Sequence, residues 1–213
     1  RFFLNEGTET TPTDASLAWV KKARVSQRLI GAFDYTHVGR SFDGGVLKYD
    51  RKPWNLTFSG GLPTAGGFNI NANNHISDLY ILYAAATATE PEWLPRSDLR
   101  LFWFYYADDR DVVAVDNRPL AARQADGDAI DIHTIGANFA KIWSAGSGEI
   151  DVLGWVAGQT GSWQSQDHAA WALALEAGYR FVDLRGKPWL RLGWYRGSGD
   201  DDPDDGDHDT FFQ

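Results

Sequence analysis

The 213-residue chain has no cysteine and no methionine, so it offers no disulfide framework, no thiol chemistry and no thiolate metal site. It also lacks any run approaching the roughly 20 consecutive apolar residues that a membrane-crossing helix needs, which excludes a helical membrane protein but not a barrel. Transmembrane strands need only about 9 to 11 residues with every second side chain apolar, so their average hydropathy stays low. The opening residues Arg1-Phe2-Phe3-Leu4-Asn5 have neither the basic nor the long apolar region of a signal peptide. Without an initiator methionine, the chain reads as processed or trimmed. A formal net charge of −9 argues against a nucleic-acid partner, which requires a basic surface to replace counterions on phosphates. Much of that charge is local, because residues 200–209 carry seven aspartates and the remainder is nearly balanced.

What is present is period-2 alternation. Trp171, Leu173, Leu175, Ala177, Tyr179 and Phe181 share one strand face, opposite Ala172, Ala174, Glu176, Gly178 and Arg180. Leu190, Leu192 and Trp194 oppose Trp189, Arg191, Gly193 and Tyr195, and Trp54, Leu56 and Phe58 oppose Asn55, Thr57 and Ser59. Further strands are predicted over 17–30, 45–51, 77–87, 98–107, 129–142 and 149–159, roughly nine in all. The apolar phase shifts within 130–142 and is mixed over 150–159, and a bulge in either strand would account for it. Long connections at 31–44, 60–76, 108–128, 160–168 and 197–209 alternate with shorter ones at 52–53, 88–97, 143–148 and 183–187. That rhythm predicts an all-β, antiparallel up-and-down transmembrane β-barrel with brief turns at one rim and long loops at the other. Trp19, Trp54, Trp103, Trp143, Trp155, Trp171, Trp189 and Trp194 fall in or at the ends of these strands. They are placed to form interfacial belts, and ordinary core aromatics are the alternative.

The segment Leu17-Ala-Trp-Val-Lys-Lys-Ala-Arg-Val-Ser-Gln-Arg-Leu-Ile-Gly-Ala-Phe-Asp-Tyr-Thr-His-Val-Gly-Arg-Ser-Phe-Asp-Gly44 resembles the alginate export family of bacterial outer-membrane proteins. So does Arg196 to Gln213, an acidic loop leading into an aromatic strand. The resemblance implies a monomeric barrel in the bacterial outer membrane, surrounded by lipid and lipopolysaccharide, that passes an anionic polysaccharide or related anionic solute through an arginine-lined pore. It also implies about 18 strands, against roughly nine readable here, and bacterial barrels close with an even number. Residues 1–213 are therefore expected to form a single barrel domain that is a partial barrel, continuing past 213.

Read as the first strand, 17–30 puts Lys22, Arg24 and Arg28 on one face, which should line water because a cation at the lipid midplane costs roughly 2 to 4 kcal/mol. Lys21 and Gln27 then fall toward lipid, where only snorkelling near an interface would accommodate them. The same test places Arg100, Arg180 and Arg191 in the lumen, with Glu176 on the face of Arg180. Arginine suits carboxylated sugars because its planar fork pairs a carboxylate through two hydrogen bonds, while a ladder of structural ion pairs is the competing reading. Asp34, His37, Arg40 and Asp43 occupy the first long loop, either a constriction or a solvated loop, with Gly44-Gly45 at its return. Asp200, Asp202, Asp204 and Asp207 supply hard oxygens of the kind Ca²⁺ takes, but without EF-hand spacing, so a solvated acidic loop competes. No other cofactor is expected.

The chain shows no nucleophile elbow and no zinc motif, and the glycine run at 60–67 lacks the Lys-Ser/Thr and helix of a phosphate loop and reads as a turn. It is not read as an enzyme. Two alternatives remain: a general porin for another small solute, and a soluble β-sandwich that binds or cleaves carbohydrate on its tryptophans.

Overall fold

A computed structural model describes residues 1–32, 39–67 and 69–213. Eight antiparallel strands follow one another: β1 Phe42–Arg51, β2 Trp54–Pro63, β3 Leu79–Thr89, β4 Ser97–Asp108, β5 Ile130–Ala145, β6 Gly148–Trp163, β7 Gln166–Arg180 and β8 Trp189–Gly197. Each pairs with its neighbour in sequence, giving the up-and-down order β1 to β8. A two-residue β9, Asp207–His208, pairs parallel with β7. Among the described residues no strand pairs the outer edge of β1 or β8, so the sheet is open. Two short helices accompany it, α1 Ala15–Val20, extended by a π turn at Lys21–Val25, and α2 Leu120–Ala125. None is long and apolar enough to cross a membrane.

The two faces of the sheet are inverted relative to a soluble protein, where alternation puts apolar side chains in and polar ones out. On β2 the polar Asn55, Thr57 and Ser59 are buried while Trp54, Leu56 and Phe58 are exposed. On β7 Glu176 and Ala174 are buried while Trp171 and Leu175 are exposed, and on β8 Leu192 is 83% exposed. The face assignments read from period 2 on these three strands therefore hold.

The inner face is covered by the chain's own N-terminal segment. Leu4 and Ile30 pack with Phe42, Tyr83, Phe102, Phe104 and Trp155, while Leu17, Val20 and Val25 pack with Ala140, Ile142 and Leu153. This overturns the expected first strand over 17–30. The Asp14 carboxylate accepts from the Leu17 amide at 2.9 Å and caps α1, which carries Ala and Leu rather than a β-branched run. Up to Val25 the segment obeys helical spacing: Leu17, Val20, Lys21, Arg24 and Val25 recur at steps of three and four and meet the sheet or its partners, as does Arg28 in the turn that follows. Lys21, expected toward lipid, is almost fully buried on the inner side, and Lys22, expected inside, is exposed.

The same cover explains the mixed phases of β5 and β6. No bulge is present, since the register runs unbroken from Ile130↔Trp163 to Ala145↔Gly148. Leu153 and Trp155 point inward because the N-terminal segment offers them an apolar partner, and Ile130 and Ile132 because they join Trp163 and Ala114 near the long loops. Trp155 and Trp189 are therefore not belt residues. Trp189 meets Trp19 of α1 edge-on at 4.1 Å and donates to Asp151 at 3.1 Å, whereas Trp54, Trp143, Trp171 and Trp194 face outward.

From β1 onward the loop rhythm holds with one exception, while the expected first loop at 31–44 follows no strand among the described residues and runs into β1. Tight or short connections at 52–53, 90–96, 146–147 and 181–188 mark one rim, and 64–78, 109–129 and 198–206 mark the other. The expected long loop at 160–168 is instead a two-residue turn, Gln164-Ser165. Gln164 takes φ +56°, a region that disfavours side chains, and is held there by Arg118 at 3.0 Å and by the Asp126 carbonyl at 3.0 Å. Gly44-Gly45 likewise lies inside β1 rather than at a loop return. A Cβ on Gly44 would sit 1.9 Å from the Gly60 carbonyl oxygen, so glycine permits the close approach of β1 and β2.

Candidate functional site

The inner face gathers the charged side chains, and β7 supplies the centre. Glu176 on β7 accepts from Arg24 Nε at 2.7 Å, Arg28 Nη2 at 2.6 Å and Arg191 Nη1 at 2.8 Å. Arg191 also pairs with Asp151 on β6 and lies over the Trp189 ring at 4.4 Å, while Arg24 donates to the Tyr195 hydroxyl at 2.7 Å. Arg180 shares the face of Glu176 as expected, but its partner is Ser16 of α1, at 3.2 Å. In the N-terminal segment, the hydrogen bond that Arg24 donates to Glu176 holds its guanidinium above its ordinary pKa.

Arg100 on β4 lies deeper. Its side chain is sealed from solvent, donating to Asn138 at 2.5 Å and to Tyr83 at 3.2 Å, with Glu6 at 3.4 Å and Glu9 at 3.5 Å. Lys21 is sealed against Asp98 at 2.7 Å, and Thr89 also donates to that carboxylate at 2.7 Å. At the turn rim Arg96 bridges Asp14 at 2.6 Å and Glu149. Of the cations predicted to face the lumen, Arg24, Arg28, Arg100 and Arg191 lie on the covered face in ion pairs and Arg180 lies there against Ser16, whereas Lys22 is exposed. Their partners Glu6, Glu9, Asp98 and Asp151 were missed. Asp98 shares the parity of Arg100 and was readable on that ground, while Glu6 and Glu9 precede the sheet and carried no signal.

Toward the loop rim a cavity of about 470 Å³ opens between the N-terminal segment and the sheet. Arg28, Arg40 and Arg110 line it together with Tyr106, Thr134 and Gln159, and among the described residues the lining includes no aspartate or glutamate. Arg110, which the sequence did not single out, is clamped through Nε and Nη2 by the two oxygens of Asp108 at 2.7 and 2.6 Å. Arg40 enters from the residues just before β1, and the expected loop residues Asp34 and His37 lie outside the described residues. Asp43 belongs to β1 and pairs with Arg1 at 2.6 Å.

The acidic stretch forms a string of tight turns. Asp200, Asp202 and Asp205 each accept from the backbone amide two residues on, at 3.2, 3.1 and 2.9 Å. Asp200, Asp202, Asp204 and Asp207 do not converge, and among the described residues no three acidic or histidine side chains are grouped to hold a metal ion.

Arg118, Asp116 and Asp126 tie the 109–129 loop to the Gln164-Ser165 turn, with Asp126 accepting from Arg118 at 2.6 Å and from the Ser165 hydroxyl at 2.7 Å. Burial pushes the Asp126 carboxyl up, but these donors outweigh it and hold it down at about 2. Because the folded value lies below that of a free aspartate, about 3.9, this tie is fully present above roughly pH 4 and is lost as pH falls toward 2. Pepsin cleavage within 109–129 is expected to rise steeply between pH 4 and 2, relative to a cleavage site elsewhere in the chain. Asp126→Asn should show fast cleavage already at pH 4 and a flatter profile.

No curated protein and no solved structure gives a match to this sequence. The sequence pattern described as alginate export matches residues 21–213, nearly the whole chain, including the β1 to β8 wall, Arg24, Arg28, Arg100, Glu176 and Arg191. That family is a transport family associated with the outer membrane and with polysaccharide export. The chain belongs to the alginate export family.

Proposed function

We propose that this chain forms the wall and inner lining of an outer-membrane channel that exports an anionic polysaccharide, a carboxylated glycan of the alginate kind. The observation that carries this reading is the inverted sheet: the face packed against the N-terminal segment is rich in arginine and hydrogen-bonding side chains, and the face left open is apolar. Lipid is the partner that makes an exposed row such as Leu47, Leu101, Ile135 and Leu192 favourable. The unpaired edges of β1 and β8 are incompatible with hydrocarbon, so further strands pair with them to complete a monomeric barrel, and lipopolysaccharide surrounds the rim that carries the long loops.

Within such a channel, guanidinium forks lower the barrier to a carboxylate without trapping it, provided the sites are individually weak and repeated. The ion pairs of the inner face supply that weakness, since each arginine already has an internal acceptor with which the cargo must compete. The loop-rim cavity with Arg28, Arg40 and Arg110 is a part of the lining with no aspartate or glutamate among its described residues, with Glu176 and Asp108 holding Arg28 and Arg110 from outside it.

Planar-bilayer recording of the full-length protein tests this. Block of the ionic current by a uronate oligomer should weaken about tenfold for each of Arg40→Glu and Arg110→Glu, the equivalent of losing roughly 1.5 kcal/mol of charge-assisted hydrogen bonding. Block by a neutral oligosaccharide of the same length should be unchanged. Equal block by both sugars in the unaltered protein would mean a general porin instead.

A further inference from the structure

We infer that Arg24, Arg28 and Arg191 form a carboxylate-binding site filled by the chain's own Glu176, and that an anionic glycan exchanging for Glu176 undocks the N-terminal segment from the wall. This rests on the channel reading and adds to it a resident ligand and a consequence of displacing it.

The geometry has an asymmetry that a structural ion pair lacks. Glu176 and Arg191 belong to the wall, on β7 and β8, whereas Arg24 and Arg28 belong to the segment that covers it. One carboxylate therefore holds two guanidinium groups of the segment and one of its own sheet, at 2.6 to 2.8 Å. Asp151 is the second carboxylate of the group, on Arg191. Three cations against two anions leave room for another carboxylate, and a sugar acid presents the same two oxygens that Glu176 does.

Ion pairs recur along the seam, beside the apolar packing of Leu4, Leu17, Val20, Val25 and Ile30. Lys21 with Asp98, Arg100 with Glu6 and Glu9, and Asp14 with Arg96 all cross between the segment and the sheet. The partly exposed pairs, Arg24 and Arg28 on Glu176 and Arg96 on Asp14, are the ones a competing polyion reaches first, and the sealed and apolar contacts part after them. A chain of uronates offers carboxylates in series, so that once one residue is engaged the next acts at a high effective concentration. A ligand shifts an equilibrium only by its differential affinity for the two states. Here that difference is explicit. With the segment docked, Arg24 and Arg28 are occupied by Glu176, and with it undocked both are open to the glycan.

The test uses the full-length protein with Val20→Cys and Ile142→Cys, two positions of the apolar seam outside the arginine site, labelled with a short bis-methanethiosulfonate that joins the segment to the wall. The sequence contains no other cysteine. Flux of a uronate oligomer into vesicles should fall at least tenfold in the linked protein and return when a reductant cuts the linker. As a second arm, Glu176→Gln should lower the uronate concentration that gives half-maximal flux about tenfold. Equal flux in linked and reduced protein, or an unchanged half-maximal concentration in Glu176→Gln, would overturn the inference while leaving the channel reading intact. Absence of uronate flux in the unaltered protein would remove the channel reading and this inference with it.

Discussion

Replacing Arg100 with methionine should destabilise the fold by about 3–5 kcal/mol, the largest loss expected from any single substitution on the inner face. Methionine keeps the volume, so the effect isolates the charge. The guanidinium is the centre of a network sealed from solvent, with Glu6, Glu9, Tyr83 and Asn138 around it and the Phe102 ring 4.5 Å away. Without it, two carboxylates are left in a space that water does not reach, and each must stay ionised at high cost or take up a proton. Burial already pushes the Glu6 carboxyl above its ordinary range, so protonation is the easier outcome and the loss should shrink on acidification. Urea unfolding in lipid vesicles, followed by tryptophan fluorescence, reads the midpoint. Adding Glu6→Gln and Glu9→Gln to Arg100→Met should restore a large part of the loss, because the uncompensated charges are gone. If Arg100→Met alone left the midpoint unchanged, the network would be ornamental.

This network also marks the limit of what the residues alone disclosed. Period 2 was readable on β2, β7 and β8 because the outward face of each is apolar along most of its length, with Asp167 and Arg196 only at the loop end. It blurred on β5 and β6, where the inner face alternates between polar side chains and the apolar ones that seat the N-terminal segment. That segment carried both rhythms at once. Ala18, Val20, Lys22, Arg24 and Arg28 fit a strand, and Leu17, Val20, Lys21, Arg24, Val25 and Arg28 fit a helix. The Asp14 cap and the absence of a partner strand decide for the helix. The inward direction of Arg100, Arg180 and Arg191 followed from the cost of charge in lipid, but their acceptors did not. Arg24 and Glu176 are separated by 152 positions and Lys21 and Asp98 by 77, distances over which only the folded sheet sets proximity. The Gln164-Ser165 turn was hidden for the same reason, since its stabilising partners Arg118 and Asp126 come from another loop rather than from a glycine in the turn itself.

Leu101→Arg should cost about 2–4 kcal/mol in a lipid bilayer, and that expectation bears directly on which solvent the outer face meets. Leu101 is 66% exposed on β4, opposite Ala137 of β5. Along the outward side of β5 the order is Asp131, His133, Ile135, Ala137, Phe139, Lys141 and Trp143, with polar groups at both ends and apolar ones between, so Leu101 lies at mid-height. The charged groups at the two ends of this face are held against partners of their own. Asp131 accepts from the Tyr105 hydroxyl at 2.5 Å, and His133 stacks beside both Tyr105 and Trp103. Lys141 carries its ammonium to the Pro95 carbonyl in the turn rim and lies 5.8 Å from the Trp143 ring, so its stem runs along the apolar band while its charge leaves it. An arginine at position 101 would have no rim within reach. In water the same substitution at a site this exposed would change stability by no more than about 0.5 kcal/mol, as expected for Val115→Arg in the 109–129 loop in either setting. A comparison of the two variants by urea unfolding in lipid vesicles therefore separates the readings. A large loss for Leu101→Arg alone places the apolar face in hydrocarbon, and equal, small effects for both would place it in water and remove the barrel from consideration.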